Sequence, residues 1–316
     1  MVKLLSPANS LGTVKIAFDS GADAVYVGVN GWGLRPSRFE LSEDDLKRSL
    51  DYAKKKQKEL YVCMNILPTS DELPAFLEEM QRFHYYGIDA VIVSDIGVID
   101  WIVKNIPGLN IHASVHCNVV NHEAALFYQE LGSSMIILSR SLVDLNEVKR
   151  IREAVNIDIG VFVHGDVCTN FDGLCYLSGY MKREKPEKPC RRKETDWMGG
   201  SNRGECYLVC KQPCELIKNG ILVDQGKLLY RENLISLDIL PDLINCGINF
   251  FKIEGRQFSK EYISTVTSIY RRAIDACLNE HNDYHVKTKW KEKLSCLIKN
   301  RDTSYETQKK TLGVRL

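Results

Sequence analysis

The sequence predicts an α/β protein: a closed (β/α)8 barrel with a cysteine-rich insertion after its seventh strand. Three observations carry that prediction. Short β-branched runs alternate with longer amphipathic stretches, one pair about every 25 residues. The runs are apolar almost throughout instead of at every second residue, the pattern of parallel strands covered by helices on both faces. The pairs number eight, which closes a TIM-like barrel.

The first strand falls near Val2–Ser6, and its helix runs from Leu11 to Ser20, ending at Gly21. A second strand, Asp23–Val29, precedes a helix capped by Ser42, with Glu43, Asp44 and Asp45 suiting the positive end of its dipole. Strand Leu60–Ile66 leads into helix Glu72–Tyr86, stopped by Gly87, and strand Asp89–Asp95 into helix Val98–Lys104. Asn110–His116 precedes helix Glu123–Leu131, and Met135–Arg140 precedes helix Leu145–Ala154. Ile157–His164 is the seventh strand. The eighth, Ile248–Gly255, and its helix, Glu261–Leu278, come only after a long interruption. An open doubly wound sheet is the competing arrangement, but no GxGxxG follows the first strand.

The chain has 316 residues, room for two domains of about 150, yet single α/β barrels run to about 250. The expected division is therefore a barrel over 1–280, containing the insertion at about 165–240, and a polar tail over 281–316 packed on the barrel or on a partner. A composition of 44% hydrophobic and 26% charged residues excludes a disordered chain. Lys and Arg total 42 against 41 Asp and Glu, a net charge of +1, so no overall field draws the chain to nucleic acid or to an anionic membrane. That balance favours a small substrate. The opening MVKLLSPANSLG is too short for a signal peptide's apolar core. The most apolar stretch, AVIVSDIGVIDWIV, contains Asp95 and Asp100 and falls short of the roughly 20 apolar residues of a membrane span. A cytoplasmic protein with reduced thiols is expected.

Six of the 11 cysteines (Cys168, Cys175, Cys190, Cys206, Cys210 and Cys214) crowd into the polar insertion, which offers no core to bury them. Cys63, Cys117, Cys246, Cys277 and Cys296 read as packing thiols. The insertion lacks the paired CxxC knuckles of zinc sites, and irregular spacings along one loop favour an iron–sulfur cluster over zinc. On the eighth strand Lys252, Glu254 and Arg256 alternate with Ile253 and Gly255, so three charges share one face at the end of a barrel strand. The two cations suit a carboxylate or phosphate, and Glu254 suits proton transfer. His164, four residues before Cys168, joins them as a candidate. Asn9, Asn65, Asp95, His116 and Arg140 end other strands at the same mouth. His112 and His116 lie about 13 Å apart on a strand, too far to share a metal. No GxSxG supports a serine hydrolase. The basic segment Lys182–Lys193 could grip phosphate, whereas the cations of KKKQK at 54–58 suit a helix C-terminus and need no function.

SPAN, GADAVYVG, FVHGDVCTNFDGLCYLSGY, SNRGEC, QPC, and FKIEGR followed by SKEY and YRRAID together resemble the collagenase-like peptidase U-thirty-two family, from the first strand to about Asn279. KIEGRQ, then a Trp-containing stretch and TLG near the end, are together similar to the ubiquinone-hydroxylation (UbiU-type) subgroup. The resemblance implies a barrel carrying one [4Fe–4S] cluster on four cysteines and an oxygen-independent hydroxylase with prephenate as oxygen source. It also implies a paralogous barrel chain (UbiV-like) as heterodimer partner, with a homo-oligomer as the other possibility. Cys168, Cys175 and Cys206 match ligand motifs. The fourth is Cys210 by spacing or Cys214 by the QPC tripeptide, of which Cys214 is preferred, and Cys190 could displace Cys206. The expected substrate is an aromatic or quinone precursor. Hydroxylation of a tRNA or rRNA pyrimidine is the alternative, and a non-catalytic, cluster-bearing partner subunit or a peptidase stands behind both.

Overall fold

The computed structural model describes residues 2–34, 39–140, 144–175, 177, 206, 209–280 and 283–312. Cys190 and the basic segment Lys182–Lys193 lie outside them.

Strands β1 (Lys3–Pro7), β2 (Ala24–Gly28), β3 (Glu59–Met64), β4 (Ala90–Val93), β5 (Asn110–Ala113), β6 (Met135–Ile137) and β7 (Asp158–Gly165) pair in sequence, all parallel. Strand β11 (Phe250–Ile253) then joins β7 to β1 and closes the barrel predicted from the sequence. Between them run α1 (Leu11–Asp19), α2 (Glu43–Lys55), α3 (Leu73–Tyr85), α4 (Ile96–Asn105), α5 (His122–Glu130) and α6 (Leu145–Ala154). Side-chain caps start most of these helices by satisfying otherwise orphaned N–H groups. Ser10 caps α1, Ser42 accepts from Asp45 N, Asp95 from Val98 N, Asn121 from Ala124 N and Asp144 from Asn146 N.

The insertion contributes a two-stranded antiparallel ribbon, β8 (Cys214–Lys218) with β9 (Ile221–Gly226). A short β10 (Leu234–Ile235) adds antiparallel to β7, and α7 (Leu240–Asn245) leads into β11. Helix α8 (Lys260–Glu280) completes the eighth unit. The polar tail forms α9 (Thr288–Leu312), and its Trp290 and Leu294, one turn apart, are buried in the core. Among the described residues no helix is long and apolar enough to cross a membrane.

Alternation along the strands sorts the core into two layers. Leu5, Tyr26, Tyr61, Ile92, Ile137 and Phe250 fill the barrel. Their neighbours Leu4, Val25, Val27, Val62, Val93 and Phe251 pack under the helices. The alternation breaks once near the mouth. Lys252 pairs with Phe162 but Ile253 with His164, so β7 bulges by one residue at Val163.

Candidate functional site

The inward parity that buries Tyr26, Cys63 and Phe250 also decides what reaches the C-terminal mouth. Continuing along β11, Lys252 points inward, and Glu254 and Arg256 follow in the loop beyond it. All three are buried and line one cavity, whose non-atom space, open solvent included, is about 500 Å³. That size is within the usual range for small-molecule sites. Tyr26 and Phe162 form aromatic walls, with the Lys252 ammonium 3.6 Å from the centre of the Tyr26 ring and 5.6 Å from that of Phe162. The Arg140 guanidinium lies 5.1 Å from the Phe162 ring.

The three charges of the KIEGR segment differ in how they are held. Glu254 is fixed: Oε1 accepts from Gln257 Nε2 at 3.2 Å and Oε2 from the Asp166 N–H at 3.4 Å. Gly165 makes this possible. Its φ of +113° favours glycine, and a Cβ there would stand 2.6 Å from Glu254 Cβ. Gly165→Ala should therefore displace Glu254 and destabilise the chain by about 1–3 kcal/mol. Equal melting temperatures for variant and parent would refute this. Arg256 packs against the backbone of Gly28, where a Cβ would meet Nη1 at 2.1 Å. That buried Nη1 has no hydrogen-bond acceptor among the described residues. A buried donor in that state is costly unless a ligand satisfies it.

Burial lowers the Lys252 pKa from its ordinary 10.5 to about 8, with Arg256 and Arg140 pushing the same way and Cys63 and Glu254 opposing. Keeping the ammonium charged therefore costs stability below about pH 8, and the cost is relieved as pH rises from 8 to 10.5, where only the unfolded chain still binds that proton. Anion binding at the mouth should show the opposite trend. Sulfate affinity, measured by calorimetry, is expected to fall from pH 7 to pH 9, and in Lys252→Met that dependence should vanish. A flat profile in the parent would contradict the assignment.

The insertion is bolted over this cavity. Asp172 is buried and accepts from Arg140 Nε at 3.0 Å, from Arg140 N at 3.2 Å and from Arg140 Nη2. Burial opposes the Arg140 charge, but Asp172 more than compensates and keeps it protonated. Arg140 Nη1 reaches Asp166 O at 2.8 Å, and Lys211 pairs with the Asp166 carboxylate at 3.3 Å. Asn118 Nδ2 donates to Asp172 O at 2.7 Å, and Cys206 N to Leu34 O at 3.4 Å, Leu34 being part of the cavity wall. The thiols of Cys168, Cys175, Cys206 and Cys210 are thus brought to the mouth. Burial pushes Cys168 up to about 11, with Asp172 and Cys206 adding to the shift. Cys210 is raised by burial and by the neighbouring Cys206 and Cys175. The donor chemistry of these four fits a thiolate-held cluster, and Asn170 Nδ2 lies 3.7 Å from Cys175 Sγ. Among the described residues no three such groups already stand at coordinating distance.

One site expectation changes. His164 does not face the mouth. The bulge at Val163 turns it into the layer beneath α8, where its Nε2 is 2.9 Å from Tyr262 Oη and its ring packs against Tyr270. Cys214 opens β8 opposite Gly226, whereas Cys210 is the thiol beside Cys206 and Cys175. Of the other strand-end residues, Asn65, His116 and Arg140 line the cavity. Asp95 is a helix cap, and Asn9 Nδ2 donates to Arg256 O at 2.6 Å, fixing the loop after β11. Beyond the expected residues, Tyr26 and Phe162 form aromatic walls, and Cys63 lines the cavity as well as packing. Inward parity near the strand ends was the signal for all three.

A model of peptidase family U32 matches residues 9–311. An uncharacterized protease of Methanocaldococcus jannaschii is 35% identical over 318 residues, 97% of this chain and 72% of the relative. A tRNA hydroxylation protein P1 of Bacillus subtilis is 29% identical over 96% of this chain and 69% of its own length. The 23S rRNA 5-hydroxycytidine C2501 synthase of Escherichia coli is 30% identical over 89% of this chain and 40% of its own length. None of these three bears the ubiquinone-hydroxylation name suggested by the tail.

Proposed function

This chain belongs to peptidase family U32, and from that membership we propose that it is an oxygen-independent hydroxylase of an RNA pyrimidine base. One observation carries the proposal: the chain aligns over 96% and 89% of its length with proteins named for tRNA and rRNA hydroxylation. It favours RNA over the quinone-precursor substrate expected from the sequence, which rested on the tail motif and the near-zero net charge. The cavity suits the task. Tyr26 and Phe162 offer ring faces to a base swung out of its strand, and Lys252 and the unsatisfied Arg256 Nη1 offer donors to an anionic group.

The reaction replaces a ring C–H by C–OH. One oxygen atom comes from an organic donor, prephenate by the family resemblance, and the base loses the two electrons that the donor gains. Cys168, Cys175, Cys206 and Cys210 would hold a [4Fe–4S] cluster, which supplies one-electron chemistry beside the cavity. The chain's own residues would do the rest. Lys252 and Arg256 bind the donor's carboxylate, Glu254 holds or moves the ring proton, and the loop anchored by Asp172 keeps water out.

Nucleoside mass spectrometry of RNA from cells with and without this chain tests the proposal. One pyrimidine nucleoside heavier by a single oxygen atom should disappear on deletion. Identical nucleoside profiles would reject the RNA substrate.

A further inference from the structure

The turn Phe171–Leu174 is held far more tightly than a surface loop requires. Leu174 N closes it on Phe171 O at 3.2 Å, Asp172 is spent on the buried ion pair with Arg140, and the backbone at Gly173 packs on the side chain of His116. Arg140 and His116 both line the cavity, so the turn is fixed to the rim of the mouth. What this rigid turn presents to solvent is apolar: Phe171 is 68% exposed and Leu174 54%. A single exposed aromatic is unremarkable on a mobile loop. Here a buried ion pair maintains it, at the entrance to the site. A cation is tied to the same segment: exposed Arg231 donates from Nη1 to Cys168 O at 3.2 Å, three residues before Phe171.

We propose that Phe171 is a stacking platform for a base flanking the target base of a single-stranded RNA, and that Arg231 contacts the adjoining phosphate. The inference rests on the RNA reading above and adds the surface by which the strand is held. An exposed aromatic face and an exposed guanidinium tied to one segment match the alternation of base and phosphate along a strand. A purely apolar partner would leave Arg231 unused.

The test is fluorescence anisotropy of a short pyrimidine-rich single-stranded RNA with the full chain, over a salt series. Phe171→Ala should weaken binding about 5- to 150-fold at every salt concentration, the loss of one stacked base, without changing the salt slope. Phe171→Trp should restore it. Arg231→Ala should instead reduce the slope by about 0.7, one phosphate contact on a single strand. Because Phe171 is exposed, Phe171→Ala should melt at the parent's temperature, which separates lost stacking from lost folding. If the parent binds RNA and Phe171→Ala binds it equally well, the platform is wrong and the RNA reading stands. If the parent binds no RNA, the RNA reading falls and the platform with it.

Discussion

Cys210→Ala is expected to abolish iron and acid-labile sulfide in the anaerobically purified chain, and with them the hydroxylated nucleoside. Cys214→Ala should leave all three near parental levels. The contrast follows from placement. Cys210 stands where the thiols of Cys206 and Cys175 bear on it, and the short helical turn Val209–Lys211 and the Lys211–Asp166 ion pair hold it near the mouth. Cys214 begins a ribbon whose strands pair only with each other. A thiolate cluster that loses one of four ligands is normally lost or rebuilt with altered spectra, so the effect should be close to all-or-none. Iron retained by Cys210→Ala but lost by Cys214→Ala would restore the ligand set preferred from the sequence.

Asp172→Ala should produce the largest loss of stability of any single change at the mouth, about 3–5 kcal/mol by denaturant unfolding, because it strands a buried guanidinium. Arg140 would keep its bond to Asp166 O but lose its only carboxylate among the recorded ion pairs of the described residues. Asp172→Asn, which can still accept, should lose less. The same variant should loosen the segment bearing Cys168 and Cys175, so its iron content should fall even where the fold survives. By comparison, Asp19→Ala removes an exposed pair with Lys56 and should change stability little. An Asp172→Ala chain as stable as the parent would mean that the insertion is not clamped through this pair.

Much of the fold was legible because period and caps agreed. Helix Leu145–Ala154 runs between its predicted limits, and Ser42 caps α2 as expected. Strands β5 and β6 stop short of their predicted ends for a local reason. Ser114 caps a tight turn over Val115–Cys117, and the Arg140 backbone N–H is given to Asp172 instead of a ladder. The ribbon was missed although Asn219–Gly220, both with positive φ, sits between two apolar runs, which is the strongest short-range hairpin signal. The tail looked weakly amphipathic, yet Trp290 and Leu294 anchor a long helix on the barrel.

At the site, alternation placed Lys252, Glu254 and Arg256 in the cavity because β11 is regular up to Ile253. The same reasoning failed for His164, since a one-residue bulge leaves no trace in the periodicity of β7. The tripeptide QPC points to Cys214, which opens the ribbon opposite Gly226, whereas Cys210 precedes it in the short turn Val209–Lys211.

The most direct test of the whole account is an anaerobic incubation of the purified, iron-loaded chain with RNA from cells lacking it, a reductant and prephenate, followed by nucleoside mass spectrometry. The parent chain should form one pyrimidine nucleoside heavier by a single oxygen atom, and Cys210→Ala should form none. No such nucleoside from a fully loaded parent, or equal amounts from both chains, would contradict the account.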